Sequence, residues 1–503
     1  MSKRKWTAAG SIFGTGALAL VLAASIATAV AQDAGSLQGE VEAQRQTTIK
    51  LIELMVQSGI LTKERAEELL REARREAGNP ASAGDASKNE KEKVIRIPYV
   101  PQIVRDDIKE EIRQEVVEQA RKERWGEPGA LPDWIGRIKF HGEFRLRYQY
   151  NQFDPGNSRQ YLNIQDTNAG NGLVPLNTIE NNDLWRIRLR LAMDARLADW
   201  ASVGMRLSTG SNTNPVSDNQ TLGNTFNRNN FALDRAFVRL EPNASWMLIG
   251  GRMANPFFHS DLVWDEDLNF EGVATTVRPS VGKAIGLFTT IGAFPLEKLD
   301  CTNTVQIADC GKSKWIYGFQ LGTEQSFSSG NRLKIGIALY DFRKIAGTFN
   351  DPIIDPANRS SIPKYVQKGN SMFDVRTDGG NPLLGLAADF RELSLTGQWD
   401  MNLPKARHLT LLWDAVKNIG YDRNEIRDRT GGLIDQDPRT LGYQFRLTVG
   451  QEKMEKRGDW QVSGGYKYLE RDAVVDGFTE SDFHLGGTDA KGWILGASYG
   501  IAT

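Results

Sequence analysis

The stretch Arg137–Phe153, RIKFHGEFRLRYQYNQF, decides the fold. From Ile138 to Tyr150 every second residue is apolar, aromatic or Gly, and the residues between them are Lys, His, Glu, Arg and Gln. An alternation of period two is typical of a β-strand whose two faces meet different surroundings. The run is much longer than the roughly five or six residues of an ordinary strand. It fits a strand with hydrocarbon on one side and water on the other.

The start of the chain predicts export from the bacterial cytoplasm. Lys3, Arg4 and Lys5 precede an apolar stretch that ends at Ala29-Val30-Ala31, a small-x-small cleavage pattern. We interpret residues 1–31 as a secretory signal peptide, and the alternative is an uncleaved membrane anchor. No later apolar run reaches about 18 residues. A mean hydropathy of -0.43 still allows a transmembrane barrel, because the lumen-facing half of a barrel is polar.

The two cysteines predict a local disulfide. Cys301 and Cys310 lie close together in CTNTVQIADC. In an oxidising compartment this spacing suits a bridge across a loop. The alternative, a metal site, would need more ligands, and no His lies nearby.

Residues 32–134 predict a periplasmic helical region. TTIKLIELMVQ and TKERAEELLREARREA form a helical hairpin, and a polar linker follows at 78–93. A third helix, IVRDDIKEEIRQEVVEQARKERW, has a narrow apolar stripe. It is either a short coiled coil that helps subunits associate or an amphipathic helix packed on the periplasmic mouth of the barrel.

Residues 135–503 predict the barrel itself. About fourteen segments repeat the period of two, and no fixed repeat of a propeller or solenoid is found. Short connections such as Asp199-Trp200 alternate with long polar loops. The long loops are 151–182, 211–230, 254–267, 294–313, 343–389, 420–440 and 472–489. This alternation predicts an all-β membrane protein, an antiparallel transmembrane β-barrel preceded by short periplasmic α-helices.

Several stretches resemble bacterial outer-membrane proteins of the Putative porin family. They are VIRIPYVPQIVRDDIKEEIRQEV, LPDWIGRIKFHGEFRLRYQ, GGRMANPFFHSDLVWDEDLNFEGVA and DFHLGGTDAKGWILGASYG, spread over residues 94–500. The resemblance implies an outer-membrane barrel of about sixteen strands with unsettled substrates. Members usually end in a strand that closes on an aromatic residue, whereas this sequence stops at YGIAT. Either the last hairpin is lacking, or the barrel closes with about fourteen strands.

Arginines of the first strands predict a basic pore wall, because Arg is too costly to place in lipid. The wall consists of Arg145, Arg147, Arg186, Arg188, Arg190, Arg206, Arg235, Arg239 and Arg252, and Arg196 shares the pattern. The third long loop, 254–267, is expected to fold inward as an acidic constriction with Asp261, Asp265, Glu266 and Asp267. The basic wall and the acidic loop would together create a transverse electric field that selects polar solutes. The alternative is that the arginines pair with lumen acids and brace the barrel.

The resulting hypothesis is an outer-membrane porin for passive diffusion of small hydrophilic solutes. The alternative is a plugged structural or adhesive barrel that binds ligands through its long surface loops, such as 343–389. We predict no enzyme, no cofactor and no metal site, because His141, His259, His408 and His484 lack metal-binding spacing and no GxSxG or Walker motif is present.

The expected partners follow from that hypothesis. They are outer-membrane lipid, small hydrophilic solutes, a homotrimer, and the cell wall in contact with the periplasmic helices. A net charge of -1 and a location outside the cytoplasm argue against nucleic acid.

Overall fold

A computed structural model describes residues 135–281, 285–298, 313–350, 361–404 and 407–502. All of them lie in the unit Asp107–Thr503. The signal peptide (1–31), the helical region (32–134) with its coiled coil, and the disulfide between Cys301 and Cys310 lie outside the described residues. The predictions on these segments therefore stay predictions.

The described part consists mainly of β-strands. They are β1 (Ile138–Asn151), β2 (Asn182–Ala198), β3 (Ala201–Thr209), β4 (Gln220–Thr221), β5 (Phe231–Asn243), β6 (Trp246–Ala254), β7 (Asn269–Val277), β8 (Ser280–Val281), β9 (Ile285–Glu297), β10 (Lys314–Ser326), β11 (Arg332–Arg343), β12 (Met372–Asp374), β13 (Leu384–Leu386), β14 (Arg391–Leu403), β15 (Arg407–Asn418), β16 (Leu441–Gly450), β17 (Trp460–Leu469) and β18 (Ala490–Tyr499).

Helical segments in this part are short. They are a 3-10 turn (Ile135–Arg137), α1 (Ile164–Asp166), a π-turn (Thr167–Asn171), α2 (Arg423–Arg429) and a 3-10 turn (Phe483–Leu485). Among the described residues, no helix has the length and apolar character needed to cross a bilayer.

The main sheet is a meander. It holds sixteen strands, and fourteen of them follow one another as β1-β2-β3-β5-β6-β7-β9-β10-β11-β14-β15-β16-β17-β18. The short strands β4 and β8 pair with β2 and β9, and β12 and β13 form a separate two-stranded sheet. Neighbours are antiparallel, from β1 with β2 to β17 with β18. The predicted antiparallel architecture is confirmed. In the described part, β1 and β18 form the two edges of the sheet, and no ladder joins them.

The connections alternate in length, as predicted. Short turns at 199–200, 244–245 and 327–331 join strands at one end of the sheet, and long loops such as 152–181, 344–390 and 419–440 join them at the other end. In outer-membrane barrels the short turns face the periplasm and the long loops face outward.

The sheet is apolar outside and polar inside, the reverse of a soluble sheet. On β10, Tyr317, Phe319 and Leu321 are 46%, 46% and 52% exposed, whereas Gln320 between them is 0% exposed. On the neighbouring strands, the exposed apolar side chains include Leu287 and Ile291 of β9 and Ile337 of β11. Exposed apolar surface that continues over neighbouring strands needs a non-aqueous partner. The alternation fixes the register, because a slip of one residue would turn the polar face into hydrocarbon.

Loop residues, rather than strand residues alone, form the hydrophobic core inside the sheet. Trp264 of the 255–268 loop is 1% exposed, and the centroid of its ring lies 4.9 Å from the ring centroid of Phe270 and 5.0 Å from that of Tyr340. Phe257 lies against β10, where a Cβ on Gly318 would be 2.3 Å from its Cζ atom. The glycine on the inner face of β10 therefore makes room for the loop.

We expect a charge on the outer face to destabilise the barrel more than the same charge on the inner face. Leu447 is 42% exposed on β16, and its neighbour Thr448 faces the other side of the strand. Leu447→Arg should lower the free energy of unfolding by about 2–4 kcal/mol if the residue lies near the bilayer midplane, and by less near an interface. Thr448→Arg is the matched control and should change it little. Denaturant unfolding in lipid vesicles measures both, and equal losses would contradict the orientation of the sheet.

Candidate functional site

The 255–268 loop crosses the interior of the sheet and is held by polar contacts on its way. Gln320 of β10 donates to the backbone oxygen of Phe258 at 2.7 Å and accepts from its N–H at 2.8 Å. The Ser260 hydroxyl donates to Asp414 of β15 at 2.7 Å. The loop therefore contacts both β10 and β15 on the inner face of the sheet. Its role as a constriction stays a prediction.

Asp261 anchors the loop to the strands that follow. Its carboxylate accepts from Arg446 and from Gln444 of β16, both at 2.6 Å, and the ammonium of Lys467 on β17 lies 3.2 Å from its backbone oxygen. Burial alone would raise the pKa of Asp261, but Lys467 and Arg446 lower it below the ordinary value. The group is therefore a charged anchor.

Asp267 anchors the other end of the loop to the arginines of β2. It accepts from Arg190 at 2.5 Å and from Arg188 at 3.2 Å. Arg190 also reaches Asp218 at 2.6 Å, and Arg188 pairs with Glu143 of β1. Charge-assisted bonds of this kind are among the strong polar contacts in proteins. Two neighbouring arginines are thus largely neutralised by three carboxylates.

A second group of paired charges continues along β3, β5 and β7. Arg206 pairs with Asp234, and Arg235 donates to the side-chain oxygen of Asn269 at 2.6 Å. The amide of Asn269 donates in turn to Asp234 at 2.5 Å. Together with the contacts of Asp267, these bonds make one connected network, and we call it the arginine–carboxylate cluster.

The remaining arginines of the predicted wall have other surroundings. Arg145 donates to Asn219 at 2.5 Å, and Arg147 pairs with Asp482 at 2.7 Å. Arg186 and Arg239 make no ion pair in the described part of the chain, and the Nε atom of each is buried without a hydrogen-bond partner there. Arg252 lies at the long-loop end of β6, 2.6 Å from Glu271. The structure thus brings only some of the nine arginines together.

The four predicted loop acids are also distributed. Only Asp267 contacts the arginines of β2, because Asp261 reaches across to β16. Asp265 accepts from the N–H groups of Asp267 at 2.7 Å and of Ser481 at 2.8 Å. Glu266 is exposed. The loop acids therefore contact different partners and do not form one acidic patch.

Sequence reasoning missed Asp218 and Asp234. Asp218 lies in the loop 210–230, where no periodic signal marks it. Asp234 precedes Arg235 on β5, so alternation would place the two on opposite faces. A register shift between Arg206 and Leu207 breaks the alternation there, and both residues contact inner-face partners. A bulge of this kind adds a residue to one strand and re-aims its side chains.

Two cavities border the arginine–carboxylate cluster. One has a volume of about 970 Å³, lies toward the short turns and is lined by Arg190, Arg206 and Arg235. The other has about 760 Å³, lies toward the long loops and is lined by Asp218 and Asp234. Residues of the cluster line both cavities. Among the described residues, no group of three or more His, Cys, Asp or Glu could hold a metal ion.

One family model and several solved structures match this chain. A family model described as Putative porin matches residues 45–503. The fold is similar to OmpF of Salmonella typhi in complex with daunomycin, with 9% identity over 72% of this chain and 97% of that chain and a TM-score of 0.37. An anion-selective porin from Comamonas acidovorans has 11% identity over 72% of this chain and 95% of that chain, with a TM-score of 0.32. The outer membrane channel DcaP of Acinetobacter baumannii has 11% identity over 72% of this chain and 96% of that chain, with a TM-score of 0.31. No curated protein matches the sequence.

We expect Asp265 to make stability depend on pH. Burial raises the pKa of Asp265 to about 7 from the ordinary value of 3.8. The folded protein then holds this proton more tightly than the unfolded chain, so stability falls as the pH rises from about 4 to 7. Asp265→Asn should remove that fall, which is at most about 4 kcal/mol at about 1.4 kcal/mol per pKa unit.

Urea unfolding in vesicles at pH 4, 6 and 8 measures the effect, and Asp261→Asn is the control with the opposite sign. The pKa of Asp261 is lowered, so its charge stabilises the fold above the ordinary pKa. Asp261→Asn should therefore be less stable than the wild type at all three pH values. A stability gap between Asp265→Asn and the wild type that stays constant from pH 4 to pH 8 would contradict the assignment.

Proposed function

Because the chain belongs to the putative porin family, we propose that its barrel is a water-filled channel for passive diffusion of small hydrophilic solutes across the outer membrane. The observation that carries the proposal is the arginine–carboxylate cluster, whose residues line two cavities, with a loop tied across the interior beside it. A channel needs no bound cofactor, and solutes follow their own gradient. The chain is a channel protein rather than an enzyme.

Fixed charges beside the proposed path support selection of polar solutes. Arginines of β1 to β5 line one wall, and the carboxylates of Asp218 and Asp267 are paired directly with Arg190 of this wall. Fixed charged and polar groups that line an aqueous passage orient water and favour polar over apolar solutes. The same ion pairs also brace the loop, so Arg188 and Arg190 have both roles in our proposal.

Other features of the proposal concern regions beyond the site. Outward apolar strand faces support contact with outer-membrane lipid. The stripe in the third predicted helix supports a homotrimer through a coiled coil, and we propose that the helical region contacts the cell wall. We also propose that residues 1–31 are removed on export. Crosslinking of whole cells and N-terminal sequencing of the mature protein would test these points.

A plugged barrel is the second candidate, and the packing of the interior favours it. Leu262 and Trp264 are 0% and 1% exposed inside the sheet. The loop 470–489 packs there as well, where the Thr479 hydroxyl donates to the backbone oxygen of Leu262 at 2.8 Å. Such a protein would bind ligands outside the cell through its long loops and would not conduct.

We expect the purified protein to form ion-conducting channels in planar bilayers and to make liposomes permeable to small sugars and amino acids. The two cavities lined by residues of the cluster are the physical reason. Absence of conductance, together with swelling equal to that of empty liposomes, would favour the plugged barrel. Heat-treated protein is the control, because unfolding abolishes the channel but leaves the lipid unchanged.

We expect the double variant Arg188→Ala/Arg190→Ala to shift ion selectivity toward cations. Loss of the two arginines leaves the carboxylates of Glu143, Asp218 and Asp267 without Arg188 and Arg190, so the net charge of the wall becomes more negative. The reversal potential in a KCl gradient measures the shift, and single-channel conductance should change with it. Arg423→Ala on the surface helix α2 is the control, because Arg423 pairs with Asp435 and Asp437 outside the strands. Unchanged selectivity and conductance would assign the two arginines to bracing alone.

A further inference from the structure

Two arginines flank a serine on the inner faces of three neighbouring strands, apart from the arginine–carboxylate cluster. In the β2–β3 ladder Arg196 lies opposite Ser202, and in the β3–β5 ladder Ser202 lies opposite Arg239. Residues directly opposite each other project from the same face of a sheet. Neighbouring strands are about 4.8 Å apart, so the two arginine backbones are separated by roughly 10 Å. We call these three residues the arginine–serine row.

The arginine–serine row faces the cavity of about 970 Å³ on the short-turn side, which all three residues line. Neither arginine makes an ion pair within the described ranges, and the buried Nε of Arg239 has no hydrogen-bond partner there. Arg188, Arg190 and Arg206, by contrast, are paired with carboxylates. The row thus has two guanidinium groups without a carboxylate partner in the described ranges beside this cavity.

Basic side chains outnumber acidic ones around the cavity that the arginine–serine row faces. Asp194 lies one position further along the inner face and is 3.7 Å from His141. The full lining of this cavity has seven Arg and Lys side chains, namely Arg137, Lys139, Arg190, Arg196, Arg206, Arg235 and Arg239, and four acids, namely Glu143, Asp194, Asp199 and Glu241. The cavity toward the long loops has three bases, Arg252, Lys314 and Lys364, and four acids, Asp218, Asp234, Glu271 and Glu297. Arg190, Arg206 and Glu143 of the first cavity are ion-paired with other residues, and without them five bases and three acids remain. Basic side chains therefore outnumber acidic ones at the short-turn end.

Local packing shapes a notch at Ser202. Gly204 follows it on the inner face, and a Cβ there would lie 2.4 Å from the Cζ atom of Phe237. The Phe237 ring therefore covers Gly204 and closes the row on that side. The guanidinium of Arg239 lies 5.7 Å from the centroid of the same ring, a contact that helps to orient it.

We propose that Arg196, Ser202 and Arg239 form a binding site for a doubly charged oxyanion, a phosphate group or a dicarboxylate, at the short-turn mouth of the barrel. Two guanidinium groups can each bind an oxyanion through paired N–H donors, and the hydroxyl adds one more donor. The use of the site by permeating solutes rests on the proposed channel function, whereas binding itself does not. The site gives the channel a preference for anionic solutes.

Direct binding is the first test, on full-length protein refolded in detergent. Equilibrium dialysis with radiolabelled inorganic phosphate or succinate at pH 8 should show saturable binding to the wild type. Arg196→Gln/Arg239→Gln should weaken it at least tenfold, and Ser202→Ala a few-fold. Arg457→Gln is the matched control, because Arg457 is an exposed residue of a short turn and does not line the cavity. Phosphate binding without succinate binding would narrow the ligand class to phosphate, and the reverse result to dicarboxylates.

Electrical recording is the second test and separates the site from the channel. In a KCl gradient, the double variant should lower the chloride-to-potassium permeability ratio severalfold, with Arg457→Gln unchanged. Saturable binding by a protein that does not conduct would support the site and overturn the proposed function. A conducting wild type that binds neither anion, or binding that the double variant retains, would overturn the site. Heat-modifiable gel mobility confirms that each variant is folded.

Discussion

Hydrocarbon outside the sheet and water inside it impose the constraint on which the rest of this structure depends. Outward positions such as Phe319 and Leu321 must be apolar, so stabilisation of the interior cannot come from an ordinary core of the strands alone. Inner positions carry glycine, small polar residues and charges, and the loops supply the missing side chains. Trp264 and Phe257 fill one side of the interior, and ion pairs hold the other. The loop 255–268 contributes side chains both to this hydrophobic packing and to the ion pairs.

Paired charges inside the barrel replace part of the packing that a soluble domain would use. A buried ion pair contributes little net stability by itself, because desolvation of both charges offsets their attraction. Breaking one is nevertheless costly, since it leaves a charge without a partner in a confined space. Asp261 and Asp267, at the two ends of one loop, therefore fix its position more than they add to stability.

The strands and their faces could be predicted from the sequence, because a period of two persists from Ile138 onward and each outward residue pays a local cost if it is misplaced. The inward course of the third long loop was expected from its order in the chain by analogy with general porins. Its contacts were not, because Asp261 and Arg446 are far apart in sequence and nothing local connects them. Asp234 was missed for another reason, since a bulge interrupts the period on which the prediction relied.

A difference between arginines of the same wall separates structural from solute-facing charge. Arg190 is saturated by Asp218 and Asp267, so a passing anion would have to compete with two fixed carboxylates. Arg196 and Arg239 have no such competitor in the described part of the chain, and they face the water of the cavity. Sequence alternation cannot distinguish these arginines, because it reports the face of a strand and not the partners across the interior. The distribution of carboxylates on the long loops makes the distinction, and solute preference is set where those loops do not reach.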